Sequence, residues 1–326
     1  MYRIFGAEMS PYSVKVRAYF RYKNIPHQWL SRRTNEDEFQ KYARLPIVPL
    51  VVTPDEQGIQ DSTPIMEKMD ALFPEPSIHP EDPTLAFLSA LIEEYGDEWG
   101  NKLMFHHRWY YQEDQLATAH VLGRMMAPDA DRKSVEEMAV KIRTRMTGRG
   151  HFVGSSDETA PLISKYFDDL LAILEPHFEN RKYLFGRRPA FADFGLAAEI
   201  YEMALDPSAG AIIRARTPKT LAWAFRMLEP RDDGPFESWE ELRPTLDPLL
   251  RNIGDYFLPW TTANAKALAA GDENFSVTLV GDVYRQPPQK YHARSLNVLR
   301  DRYEAVVDKT ALDPILEAAN CLNYLR

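Results

Sequence analysis

Pro74, Pro76, Pro80 and Pro83 fall within ten residues and divide the 326-residue chain into two parts that share no continuous helix or sheet. Ahead of them the pattern changes every few residues. Tyr2 to Gly6 reads as a buried strand, and residues 11–23 read as an amphipathic helix with Val14, Val16 or Arg17, Ala18 and Phe20 around its inner face. Ile25-Pro26 stops that helix. Residues 27–30 read as a second strand, Glu36 to Tyr42 as a polar helix, and the β-branched run Val48 to Thr53 as a third strand. Asp55 to Gly58 turns into a short strand ending near Gln60, and Ser62 caps a helix through Leu72. The order β-α-β-α-β-β-α predicts an α/β domain over residues 1–75.

Beyond the prolines the pattern is helical from residue 84 to 270. One long periodic stretch covers 84–115, others cover 132–147 and 160–179, another begins near Phe191, and shorter ones cover 217–228 and 238–256. After Gly271 the character changes again. Phe275 to Val280 is strand-like, Pro287-Pro288 marks a loop, and a helix is expected from about Ala293 to Val307. Residues 271–326 are therefore expected to form an extension packed on the helical part.

A formal charge of −9 argues against a nucleic-acid backbone as a partner, and any anion site must be local. No apolar stretch reaches the length of a membrane span, and charged and polar residues interrupt the first fifteen positions, so neither a membrane association nor a leader is expected. Cys321 is the single cysteine, which excludes an internal disulfide and makes a reducing cytoplasm the expected location. His106 and His107 are adjacent rather than on one helical face, and no cysteine or acidic cluster completes a metal site.

The segment Ser10-Pro11-Tyr12-Ser13 carries the chemistry. Ser followed by Pro opens a helix well in any protein, because the hydroxyl accepts a backbone N–H and proline presets the first turn. The same position suits an anion. Holding a bound thiol ionised near neutral pH means lowering its pKa from about 8.5 by about two units, or about 2.7 kcal/mol. The helix N-terminus supplies about 0.3–1 kcal/mol, and a hydroxyl donated to the sulfur about 1.5–3 kcal/mol. Serine alone can meet that requirement. Ser13 is the competing hydroxyl.

Three motifs in order make this chain resemble the cytosolic glutathione transferases. Ser10-Pro11-Tyr12 is similar to the helix opening of tau- and omega-like classes; Val48-Pro49-Leu50 to the turn whose proline is cis in thioredoxin-like folds; Asp61-Ser62-Thr63-Pro64-Ile65 to the last helix start of that domain. In the second part, Ala192-Asp193-Phe194-Gly195-Leu196 is similar to a helix start of the family. The resemblance implies a thioredoxin-like domain followed by an all-α domain. It implies glutathione as co-substrate without a metal, a small and fairly apolar electrophile as second substrate, and a homodimer.

The resemblance assigns roles residue by residue. Ser10 would activate the thiol, Tyr12 would flank the ligand or pack on the helical domain, and Val48 before Pro49 would pair with its backbone. Asp61 would meet the γ-glutamyl ammonium and Ser62 its carboxylate, although Ser62 also serves as a helix cap. At helical spacing Tyr95, Trp99 and His106 share a face expected to line the second-substrate cleft. Two departures stand out. Pro46 and Ile47 occupy the place of a basic pair, leaving Arg32, Arg33 or Lys41 as candidate cations, and Ala190 stands where a Ser or Thr caps the helix. A non-catalytic binding protein, and a glutathione-dependent isomerase, ether-cleaving or dehalogenating enzyme, remain the alternatives.

Overall fold

A computed structural model describes residues 1–326. Its first part is a four-stranded sheet in the order β2-β1-β3-β4, built from β1 (Tyr2–Gly6), α1 (Pro11–Tyr22), β2 (His27–Ser31), α2 (Glu36–Tyr42), β3 (Leu50–Val52), β4 (Gly58–Gln60) and α3 (Ser62–Leu72). β1 runs parallel to β2, with Phe5 opposite Leu30, and antiparallel to β3, with Phe5 opposite Leu50. Alternation along the strands decides the two faces. Ile4 and Val51 point towards α1 and α3 and join the main core with Val16, Phe20, Ile65 and Met69, whereas Phe5, Leu50 and Val52 form a small separate core with Phe39 of α2.

The prolines lead into α4 (Pro83–Tyr95), whose first turn is capped by Asp82 through Thr84 N–H at 2.8 Å and Leu85 N–H at 3.1 Å. The single helix expected over 84–115 is divided. A π turn over Gly96–Gly100 separates α4 from α5 (Asn101–Tyr110), and Tyr111 adopts extended backbone before α6 (Gln112–Met126). Close helix packing accounts for the π turn's glycine: a Cβ on Gly96 would lie 2.6 Å from the backbone nitrogen of Leu196. α7 (Arg132–Thr147) packs against α6, and α8 (Ala160–His177) and α9 (Phe191–Leu205) complete the centre.

α9 starts without the missing hydroxyl at Ala190. The Asp193 carboxylate instead accepts the N–H groups of Ala190 and Leu184, each at 2.8 Å, and the indole N–H of Trp223 at 2.8 Å. α10 (Pro207–Arg216), not anticipated from the sequence, precedes α11 (Pro218–Arg226). The pattern over 238–256 resolves into α12 (Trp239–Asn252) and a second π turn over Ile253–Phe257, and a further helix, α13 (Leu258–Ala270), follows it.

The extension forms a hairpin, β5 (Phe275–Leu279) and β6 (Asp282–Gln286), followed by α14 (Lys290–Ala305), α15 (Leu312–Ala318) and α16 (Leu322–Leu325). Its side chains Tyr284, Leu296, Leu299, Tyr303, Leu316 and Leu325 belong to the same core as the helical part. Lys102 of α5 anchors the hairpin. Its buried Nζ, whose pKa burial pushes well below the ordinary lysine value, donates to Gln286 Oε1 at 2.8 Å, Tyr284 Oη at 3.1 Å and the Val153 carbonyl at 2.5 Å, and lies 4.3 Å from the ring centre of Trp260.

Candidate functional site

Ser10 is the N-cap of the 12-residue helix α1, with extended backbone at φ −121° and ψ 112° and Pro11 as the first helical residue. Its Oγ accepts the Ser13 N–H at 3.4 Å, a long hydrogen bond that leaves the hydroxyl proton uncommitted. Ser10 is half-buried, whereas Ser13 is sealed beneath the helix with an unpartnered Oγ. Of the two hydroxyls, only that of Ser10 is open to a ligand. The turn before it is held from outside the domain: Arg108 donates to the Met9 carbonyl at 3.1 Å, and is itself fixed by Asp206 at 2.9 Å and Glu202 at 2.8 Å. The chain's own thiol takes no part, because Cys321 is buried and burial pushes its pKa up.

Tyr12 turns towards the helical part, its hydroxyl donating to the Asp97 carbonyl at 2.9 Å while its ring stays half-buried. The Val48-Pro49 peptide is cis. Val48 is half-buried, and its backbone N–H and C=O have no hydrogen-bond partner within the chain. The preceding loop is braced by Gln60, which bonds both the N–H and the C=O of Leu45. Ile47 is 52 % exposed in that loop. Of the candidate cations, Arg32 is already engaged with Glu36 at 3.1 Å and the Pro46 carbonyl at 2.5 Å.

Asp61 caps α3 from the left-handed region, at φ +80°, and its carboxylate makes no hydrogen bond to the helix it precedes. The Ser62 hydroxyl does not face a ligand. It is buried and points into the domain interface, 3.5 Å from Lys15 Nζ and 3.4 Å from Asp97 Oδ2. The side-chain role expected of Ser62 is thereby corrected, and its backbone N–H at the start of α3 is what remains for an anion. The reason is Lys15, a fully buried ammonium on α1 that draws Glu93 at 2.5 Å, Asp97 at 2.6 Å and Thr63 at 2.9 Å around itself.

That network also sets the charge of the interface. One ammonium cannot neutralise two carboxylates, so burial raises the Asp97 pKa to about 7, with Lys15 offsetting only part of the effect. Burial, then the neighbouring Asp61 charge, raises Glu98 to about 8, and burial lowers its partner His292 to about 3. Glu98 and His292 Nδ1 are in direct contact across the interface.

The cleft expected along Tyr95, Trp99 and His106 is not present; all three are fully buried. Tyr95 bonds Asn252 at 2.8 Å, Trp99 packs against Tyr166 and Trp260 with ring centres 5.4 Å apart in each case, and His106 bonds Ser155 at 2.7 Å. The π turn between Tyr95 and Asn101 breaks the helical spacing, and the extension covers the face that remains. A groove of about 940 Å³ lies elsewhere, between the proline linker, α12 and α15, and includes none of these residues. Sequence reasoning missed Lys15, Tyr291 and His292; the aromatic and basic residues directly after Pro287-Pro288 were the available signal for the last two.

Residues 4–77 match the family described as glutathione S-transferase, N-terminal domain. Among solved structures, the β-etherase LigF from Sphingobium sp. strain SYK-6 aligns with a TM-score of 0.50 and 20% identity over 69% of this chain and 94% of that one. A glutathione S-transferase from Rhodospirillum rubrum F11 aligns with a TM-score of 0.44 and 20% identity, over 70% of this chain and 91% of that one. One from Methylobacterium radiotolerans in complex with glutathione sulfonate aligns with a TM-score of 0.40 and 18% identity, over 73% and 96%. No curated protein matches the chain. No helix is long and apolar enough to cross a membrane.

Proposed function

Since the chain opens with a glutathione S-transferase N-terminal domain and has the fold of that superfamily, we propose that it binds glutathione and activates its thiol with the Ser10 hydroxyl. The observation that carries this reading is the uncommitted proton of a half-buried N-cap serine at the mouth of α1. The sulfur, placed at that helix end, would receive the Ser10 O–H and the field of the unpaired first-turn N–H groups. Together these favour the thiolate by about 2–4 kcal/mol, enough to ionise it near neutral pH. Ser13, the alternative donor, is sealed.

Val48 supports the same placement, because an unpaired amide and carbonyl side by side offer strand-like pairing to a peptide. The γ-glutamyl group would then reach Asp61 and the start of α3. The thiolate attacks a small apolar electrophile held beside Ser10, and catalysis comes from ionisation and proximity. Conjugation by a cytoplasmic homodimer is the form this activity takes in the reading.

The test is calorimetric titration of the full chain with glutathione, together with Ser10→Ala and Ser10→Asn variants in a conjugation assay. Asparagine retains the helix cap without a hydroxyl. Ser10→Ala should lose about a hundredfold or more in rate, whereas Ser10→Asn, as stable as the parent and with an amide that can still donate to the sulfur, should lose less. Wild-type rates in Ser10→Ala would refute Ser10 as the activating group. A second reading, a binding protein without turnover, is favoured by the burial of Tyr95, Trp99 and His106; it predicts heat on glutathione addition and no product with any electrophile.

A further inference from the structure

The first turn of α14 brings a third element to the candidate site, from a part of the chain remote in sequence. It is pinned on both sides. Before it, Asn264 of α13 accepts the Gln289 N–H at 2.7 Å and donates to the Gln289 carbonyl at 2.9 Å. After it, the His292 ring packs edge-on against Trp260, with centroids 4.7 Å apart, and meets the buried Glu98. Between these anchors Tyr291 turns its hydroxyl to Asp61, 3.0 Å from one carboxylate oxygen and 3.2 Å from the other.

Tyr291 is the sole hydrogen-bond partner of the Asp61 carboxylate, which makes none to α3. An unrestrained aspartate at a helix start samples several staggered rotamers. Here one phenolic proton fixes it, while a carboxylate offers about four lone-pair sites, so most remain for another donor. Asp61 keeps partial exposure, and 48 % of Tyr291 is exposed, so the contact does not seal the carboxylate. Burial first, and then the adjacent Asp61 charge, keeps the Tyr291 phenol protonated and so able to donate.

We propose that Tyr291 is a positioning residue for the α-ammonium of glutathione, aiming the Asp61 carboxylate so that the extension selects γ-glutamyl thiols over thiols lacking that amine. This rests on the glutathione reading above. A preset acceptor loses less rotamer freedom on binding than a mobile one, and the advantage is confined to ligands that carry the ammonium.

The experiment is calorimetry on the full chain with glutathione and with its deaminated analogue, in which hydrogen replaces the γ-glutamyl amine. Wild type should prefer glutathione. Tyr291→Phe keeps the ring, and so the docking of α14, and should weaken glutathione binding about tenfold while leaving the analogue within about twofold. In an Asp61→Asn background, Tyr291→Phe should add no further loss. Unchanged or tighter glutathione binding by Tyr291→Phe, or equal weakening of both ligands, would overturn the assignment while the glutathione reading stands. A wild-type chain that titrates neither ligand removes both.

Discussion

Ser10 and Lys15 lie five positions apart on one helical segment, and the sequence speaks clearly about only one of them. Ser10-Pro11 is a local signal: a cap and a preset first turn depend on nothing distant. Lys15 reads as a charged residue at the edge of an amphipathic helix, because its partners Glu93 and Asp97 are supplied by α4 and the π turn after it. The same network turned Ser62 inward. Replacing Lys15 by Ala leaves two buried carboxylates without a counter-charge and should cost about 3–5 kcal/mol of stability in a urea titration. Adding Glu93→Gln and Asp97→Asn should recover part of that loss. A single variant as stable as the parent would show that water or protonation already compensates the pair.

Among the elements, those defined by alternation were readable and those defined by contact were not. The strands of the first domain, the helix α1 and the stop after it follow from periodicity and from Ile25-Pro26. Neither π turn could be read, because each sits at a backbone approach made from far away in the chain. Gly254 is the sharper case: a Cβ there would lie 1.9 Å from the carbonyl oxygen of Ala319, at the end of α15. β6 was missed because its only apolar residues, Val283 and Tyr284, are adjacent and show no alternation. Gly254→Ala should force the end of α15, and α16 after it, away from the second π turn at a cost of about 1–3 kcal/mol. Cys321, buried in that segment, reports it: alkylation of the thiol in the native protein should accelerate at least tenfold in the variant. An unchanged labelling rate would mean that the backbone absorbs the extra methyl.

For the whole molecule, the proline cluster announced the division into two parts, and nothing announced how firmly they are joined. The join and the helical part behind it hold buried acids, which gives stability a definite pH dependence. Burial raises Asp97, Asp193 and Glu202 to about 7 and Glu98 to about 8, against ordinary values of 3.8 to 4.5. These folded-state groups bind protons that the unfolded chain has already released, so stability falls as pH rises towards those values. His106 and His292, lowered to about 3, and His177, lowered to about 4, act in the opposite direction, but only below their ordinary 6.5. Between pH 6.5 and 8 the four carboxyls are opposed only in part, by Lys102, whose pKa burial pushes well below the ordinary lysine value. The melting temperature should drop by about 5 °C over that interval. A rise instead would mean these acids are ionised in the folded state.

Lys15 with α4, Arg108 with the turn ahead of Ser10, and Tyr291 with Asp61 rivet the two halves at three separate places. Fastening of this kind opposes a hinge between the halves. Under the proposed function, a guest arriving beside Ser10 would be admitted by side chains stepping aside at the rim, on the nanosecond-to-microsecond scale of rotamers and loops rather than that of swinging domains.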